Sequence, residues 1–398
     1  MARNPLRDGI AVVGVGSTPY GRDLARTELS LGLEAAINAV RDAGIGLQEI
    51  DGICGSAMDP MAGGAGFLAL QGALGVERAT WVMNGWLGSC FVHAAEAVFS
   101  GLCDVALVVQ VYTRGPGMSR SAAQDPFRRR AAELKRGPVG RGDFARRWLH
   151  SAEVYAAWAA RYMHDFGASK DVFGRLAVNN RTHASTNPNA LQRTPITMDD
   201  YHASRMVWEP LRLLDMDYPA DCAEALIITT AERARDLRAR PVYVEAMSLG
   251  GTRVGEFYEN SLGWTENAAW VAMDGAWRRS SLTVDDLDLF FPYDGFTLNA
   301  VALTEAAGFC GPGEASELFE SSWDAERNIL RLRGRTLVST NGGGLSQGRA
   351  GGFNFYAEAV RQLRGTEGDR QVPGARTALV CPGGSFFHEP AVVILRAD

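Results

Sequence analysis

Long apolar runs are missing from this 398-residue sequence. Its best candidates, Val154–Ala160 and Val105–Val109, fall far short of the roughly 20 residues that a bilayer span requires. The opening MARNPLRDG has no apolar segment of the kind that directs export, so a soluble, cytoplasmic protein is expected. Cysteine is sparse: six residues, at 54, 90, 103, 222, 310 and 381, with no CxxC pair and no histidines at ligand spacing. Neither a disulfide framework nor a metal site is expected from that pattern. Positive charge is not in excess either. The net charge of −6 argues against a nucleic-acid footprint. The one basic cluster, Arg128-Arg129-Arg130 through Arg146-Arg147, is diluted by Ala, Glu and Asp. It reads as a solvated face, or as a patch for the phosphates of a CoA-like ligand.

What is present is an ordinary globular composition, 46% hydrophobic with 45 Gly and 16 Pro, at a length that suits two or three domains. Ile10–Val15 reads as a strand closed by Gly16 and Pro19. Leu29, Leu33, Ala36, Ile37 and Val40 then recur at helical spacing up to Gly44. Val105–Val109 is a continuous apolar run, as a strand buried on both faces requires. The segment Ala35–Ile53 can be laid over Ala272–Phe290, Ala95–Val98 over Ala357–Val360, and Ala106–Val108 over Ala378–Val380. Three matches in one order indicate duplication of an α/β unit. The expected halves are 1–114, completed by about 221–264, and 265–398, with 115–220 as an inserted loop or lid. The tryptophans of that stretch, Trp148, Trp158 and Trp208, suit a bulky apolar ligand or core packing equally.

Several motifs compete for the chemistry. Gly14-Val15-Gly16 follows a strand but lacks the third glycine and the helix of a dinucleotide fingerprint, so it reads as a turn. Gly344-Leu345-Ser346-Gln347-Gly348 satisfies G-x-S-x-G, and Asp369 and His388 follow in hydrolase order. Only about 50 residues remain after it for the rest of such a sheet. The glycine-rich turn from Asn341 to Gly352, between a strand at Thr336–Ser339 and a helix at Phe353–Leu363, allows close backbone approach to a ligand. Cys381-Pro382-Gly383-Gly384-Ser385 repeats that arrangement after the strand Ala378–Val380. Pro292-Tyr293-Asp294-Gly295-Phe296 ends a third strand, where side chains face the crevice of a doubly wound sheet.

At these residues the sequence resembles the thiolase superfamily, and within it the sterol-carrier-protein thiolases and lipid-transfer-type proteins. Asn187-Pro188-Asn189-Ala190, Pro195 through Asp200, Pro210 through Asp215 and Asp221 through Ala225 carry the resemblance together with the three turns above. It implies two βαβαβαββ halves in a five-layer αβαβα sandwich, a loop domain over the CoA site, and a homodimer. The family's spacing puts the thiolase nucleophile near Asn84 or Gly85, and Cys90 nearly two turns into the helix that ends at Gly101. The family's Gly-His-Pro is Gly348-Arg349-Ala350 here, and Tyr293 replaces the usual Asn or His. Cys381 alone keeps its family identity.

A chain without the thiolate forms no acyl-enzyme. The resemblance is then nearest in kind to the steroid side-chain-cleaving retro-aldolases, which lack the Cys and carry Tyr-Asp before the helix. The implied reaction cleaves a β-hydroxyacyl-CoA to a ketone and a short acyl-CoA, with coenzyme A as part of the substrate and no tightly bound cofactor. The expected catalytic residues are Tyr293, with its pKa lowered by Arg349, and Cys381 as proton donor. Asp294, Gly344, Gly348, Gly383 and Gly384 are expected around the CoA thioester, with the Gly383-Gly384 N–H groups on the enolate oxygen. A small companion with an OB-fold and a zinc ribbon is implied as a separate polypeptide. A C-acyltransferase with an unusual nucleophile, a non-catalytic CoA- or lipid-binding subunit, and a serine hydrolase are the alternatives.

Overall fold

The computed structural model describes residues 4–56, 66–85, 87–113, 151–252, 263–383 and 390–398. The basic cluster at Arg128–Arg147 and Trp148 lie outside them. In chain order the strands are β1 (Ile10–Ser17), β2 (Gly52–Ser56), β3 (Trp81–Asn84), β4 (Val105–Tyr112), β5 (Met206–Trp208), β6 (Leu211–Arg212) and β7 (Cys222–Thr230). There follow β8 (Val242–Leu249), β9 (Leu289–Pro292), β10 (Trp323–Asp324), β11 (Ile329–Leu332), β12 (Thr336–Val338), β13 (Thr377–Cys381) and β14 (Ala391–Arg396). All but β5 and β6, which form a hairpin, belong to one sheet ordered β10-β11-β12-β9-β13-β14-β8-β1-β7-β4-β2-β3.

Dividing that order between β8 and β1 leaves two units of one plan. In β1-β7-β4-β2-β3 the successive pairings are antiparallel, antiparallel, parallel, parallel. In β8-β14-β13-β9-β12 they are the same. Each of the three sequence matches falls on equivalent elements: helix Glu28–Ala43 with Ala268–Trp277 and β2 with β9, helix Ser89–Phe99 with Phe353–Arg364, and β4 with β13. β8 lies inside the stretch expected to complete the first half, yet it pairs with β14 along six residues and with β1 along two. By hydrogen bonding it opens the second unit.

Local sequence explains the layers. Thr27 caps the helix Glu28–Ala43 by accepting from the Ser30 N–H, and Gly44 ends it at φ 70°. A Cβ on Gly14 would come within 2.3 Å of the Ala39 carbonyl, and one on Gly16 within 2.1 Å of the Ala35 carbonyl. The Gly-x-Gly of β1 therefore lets an alanine-faced helix lie directly on the strand, and no phosphate is needed to account for it. All eight residues of β4 are buried. Helices Ser89–Phe99 and Phe353–Arg364 each touch strands of both units, and the Phe91 and Tyr356 rings stack between them at 4.5 Å. They are the middle layer. Glu28–Ala43 covers the first unit from outside and Ala268–Trp277 the second, completing αβαβα.

The described part of the expected insertion is less peripheral than its polarity implies. Helix Asp171–Ser185 packs on β11, on helix Thr297–Ala306 and on the turn Gly343–Gln347. Its buried face includes Asn179 and Asn180 as well as Phe173 and Leu176. The Asn179 amide donates to the Val338 carbonyl at 3.0 Å and accepts from the Leu330 N–H at 2.8 Å, so these polar residues are satisfied inside the core. Trp158 is buried against Trp264, whereas Trp208 is half exposed on the β5–β6 hairpin. Among the described residues no helix is long and apolar enough to cross a membrane, and no cluster of His, Cys, Asp or Glu is suited to a metal ion.

Candidate active site

β9 and β13 run parallel, with Cys381 opposite Pro292, so the turn after β9 emerges beside the turn after β13. Tyr293 fits there because two neighbours have no side chain. A Cβ on Gly383 would lie 3.0 Å from the Tyr293 ring, and one on Gly295 would lie 2.5 Å from the Tyr293 hydroxyl. The phenol is thus sandwiched between glycine backbones at the carboxyl ends of two strands.

Asp294, expected to face CoA, instead holds the glycine turn. It is wholly buried and accepts from the Asn180 amide at 2.7 Å, the Gly344 N–H at 2.8 Å and the Leu345 N–H at 3.1 Å. Burial pushes its carboxyl up to about 7 against the pull of those donors. Gly344 spends its N–H there, and its carbonyl accepts from the Tyr218 N–H. Gly348, at φ 128°, packs against Ala220 and Tyr20. Both glycines therefore shape the turn. Ser346 is buried, and its hydroxyl accepts from Arg181 Nε at 3.1 Å. A nucleophile elbow would expose that oxygen, so the hydrolase alternative fails; His388 lies outside the described residues.

A short crossbar, Met216-Asp217-Tyr218, ties the two turns together. Met216 bridges to Phe296, the Asp217 N–H donates to the Gly295 carbonyl, and the Arg349 N–H donates to the Tyr218 carbonyl. This brings the Asp217 carboxylate to 3.1 Å from Arg349 Nη1. The guanidinium lies over the Tyr112 ring, 5.7 Å from its centroid, and hydrogen-bonds with that side chain. Burial opposes the Arg349 charge, but Tyr293, Asp217 and Tyr112 outweigh it and raise its pKa. Arg349 does pull the Tyr293 phenol down, as the sequence suggests. Burial is the larger effect, so the phenol sits above its ordinary value rather than below it. Tyr293 is a neutral hydroxyl beside a fixed cation.

Cys381 is fully buried at the end of β13, and burial pushes its thiol up, so it stays protonated. The Gly383 N–H, expected on the enolate oxygen, donates to the Gly351 carbonyl at 3.0 Å, and the Gly383 carbonyl accepts from Gly88. Gly384 lies outside the described residues. Cys90 is not two turns into its helix. Leu87 adopts φ 42°, which delays the helix to Ser89 and makes Cys90 its second residue. Its sulfur fills the space beside Gly85, where a Cβ would come within 2.7 Å of Sγ. The space at Gly85, one of the two positions where the family's spacing expects the nucleophile, is therefore filled by the Cys90 side chain.

A model of the Thiolase C-terminal domain-like family matches residues 257–397. The chain is 33% identical to the 17-hydroxy-3-oxo-4-pregnene-20-carboxyl-CoA lyase of Mycobacterium tuberculosis, over 94% of its own length and 96% of the relative's. It belongs to the thiolase-like superfamily. The steroid side-chain-cleaving aldolase of Thermomonospora curvata is 30% identical over 99% of both chains. The solved Ltp2-ChsH2(DUF35) aldolase matches with a TM-score of 0.85 at 28% identity, covering 99% of each chain. Human mitochondrial 3-ketoacyl-CoA thiolase, at 14% identity and a TM-score of 0.66, shares the fold.

Within this thiolase-like site, sequence reasoning singled out Tyr293 and Arg349, which the structure brings together, and missed Tyr112, Asp217 and Asn180. Tyr112 had a usable signal, since it ends a buried strand on the crevice side. Asp217 and Asn180 had none, because they reach the site through the crossbar and a helix assigned to a peripheral insertion.

Proposed function

We propose that this thiolase-like chain is a carbon–carbon lyase, a retro-aldolase that cleaves a β-hydroxyacyl-CoA, with steroid side-chain acyl-CoAs as the substrate class. The observation that carries the reading is the exchange at the two thiolase positions. Neither Asn84 nor Gly85, where the family's spacing expects the nucleophile, offers one, while Tyr293 stands neutral beside the Arg349 cation. The two aldolase relatives, each matched along more than nine-tenths of both chains, support the same class.

In the reaction the Cα–Cβ bond breaks, its electron pair passes to the thioester enolate, and the β-hydroxyl becomes the ketone carbonyl. Tyr293, being neutral, takes the hydroxyl proton while releasing its own. Cys381, a thiol kept protonated by burial, delivers a proton to the enolate carbon and regains one through Tyr293. One proton moves, net, from oxygen to carbon, and neither side chain ends charged. Coenzyme A enters as part of the substrate. Asp294, Gly344 and Gly348 act by holding the turn that carries Arg349.

We further infer a homodimeric core with a small companion polypeptide bearing an OB-fold and a zinc ribbon; a second protein is named in the aldolase structure that this chain matches. The test is a panel of steroid and non-steroid β-hydroxyacyl-CoAs, offered to the chain purified alone and together with a DUF35-type partner. Ketone and short acyl-CoA in equal amounts, from the complex more than from the chain alone, are expected. No cleavage of any thioester by the complex would overturn the lyase reading. Full turnover by the chain alone would overturn only the companion.

A further inference from the structure

We propose that Tyr112 and Asp217 are positioning residues for Arg349, and that the guanidinium they hold meets the negative charge that develops on the thioester oxygen. This inference rests on the retro-aldolase reading. Cleavage leaves an enolate, and a site that forms one must present donors to its oxygen. Among the described backbone groups next to Tyr293, the Gly383 N–H is committed to the Gly351 carbonyl and the Gly344 N–H to Asp294. Arg349 is the cation of this turn, and its Nε is buried without a hydrogen-bond partner. A buried guanidinium N–H left unpaired is a donor in reserve.

An arginine side chain has several torsions to fix before it can serve as a preorganised donor. Here it is fixed from two separate elements. Tyr112 arrives on β4 of the first unit and lies under the guanidinium plane. Asp217 arrives on the crossbar and meets Nη1. The Arg349 backbone is held as well, its N–H by the Tyr218 carbonyl and its carbonyl by the Cys222 thiol at 3.6 Å. The Tyr112 hydroxyl in turn depends on a missing side chain, since a Cβ on Gly351 would fall 2.8 Å from it. A phenol ring against the guanidinium and a carboxylate at one end leave the cation little freedom. Arg349 transfers no proton. It supplies charge where the electron pair of the broken bond arrives.

A double-mutant cycle tests this. Tyr112→Phe keeps the ring, and its thermal midpoint should stay near that of the parent. Its kcat should fall about 10-fold with KM little changed, and Arg349→Gln should lower kcat about 100-fold. Added to Arg349→Gln, Tyr112→Phe should have no further effect, because a positioning residue has nothing left to position. An equal loss in both backgrounds, or no loss in the single variant, overturns the proposal. A second readout needs no turnover. The 15N-labelled Arg349 Nε–H signal, assigned by its absence in Arg349→Gln, should exchange slowly with water in the parent and at least 10-fold faster in Tyr112→Phe and Asp217→Asn. Unchanged exchange in both variants overturns the positioning role even if the chain proves to be a lyase. Faster exchange in a chain that cleaves no thioester would sink the functional reading and leave the clamp standing.

Discussion

At the end of β4 the first unit presents Tyr112, and at the equivalent end of β13 the second presents Cys381. The contrast continues in the helices that follow the glycine turns. In the second unit the helix opens at Phe353, directly after Gly352 at φ 82°. In the first unit the corresponding helix waits until Ser89, after Leu87 at φ 42°. One topology thus serves two purposes. The second unit carries the turns, the Tyr293 phenol and the Cys381 thiol of the candidate crevice. The first has the Cys90 sulfur filling the space beside Gly85 and sets Tyr112 against the Arg349 guanidinium of the other unit. Duplication supplies two crevice edges, and the chemistry need occupy only one of them in full.

The largest test of this contrast is at the second unit's phenol. Tyr293→Phe removes only a hydroxyl, so the fold should persist while kcat falls about 100-fold or more. Steady-state kinetics with near-parental turnover would move the chemistry elsewhere and break the comparison. Restoring a thiol to the first unit should fail for steric reasons. Gly85→Cys places a Cβ within 2.7 Å of the Cys90 sulfur, and overpacking of this kind costs about 1–3 kcal/mol. Denaturant melts should show that loss without any gain of thiolase activity, and adding Cys90→Ala should recover part of the stability. A Gly85→Cys chain as stable as its parent would mean the space is not filled.

Between these in kind, and smaller, is a pH effect in the second unit. Burial lifts Asp294 to about 7, so the folded chain holds this proton more tightly than the unfolded one does. The resulting stability is present in full below about pH 4 and is lost as pH rises through 7, with a slope of at most about 1.4 kcal/mol per pH unit. Comparing denaturation midpoints of the parent and Asp294→Asn from pH 5 to 8 isolates it; parallel curves would show that Asp294 does not titrate there. The smallest effect belongs to Cys90. As packing, Cys90→Ala should retain most turnover and cost about 1 kcal/mol or less. Complete loss of activity in a folded variant would return the first unit to catalysis.

The sequence by itself determined the duplicated plan, because buried strands and alanine-faced helices are written in local periodicity that survives between Ala35–Ile53 and Ala272–Phe290. It also determined which family letters are missing, since the absence of a cysteine at Asn84 or Gly85 needs no coordinates. Only the tertiary structure decided what the remaining letters do. The fate of an N–H, such as that of Gly383, depends on which carbonyl lies opposite it. The direction of the Tyr293 shift depends on whether burial or a nearby charge is stronger, and both are set by residues far away in the chain. Tyr112, Asp217 and Arg349 are separated by more than one hundred residues in each step. No periodicity or spacing links them, and they meet only because the crossbar and two strand ends converge on one turn.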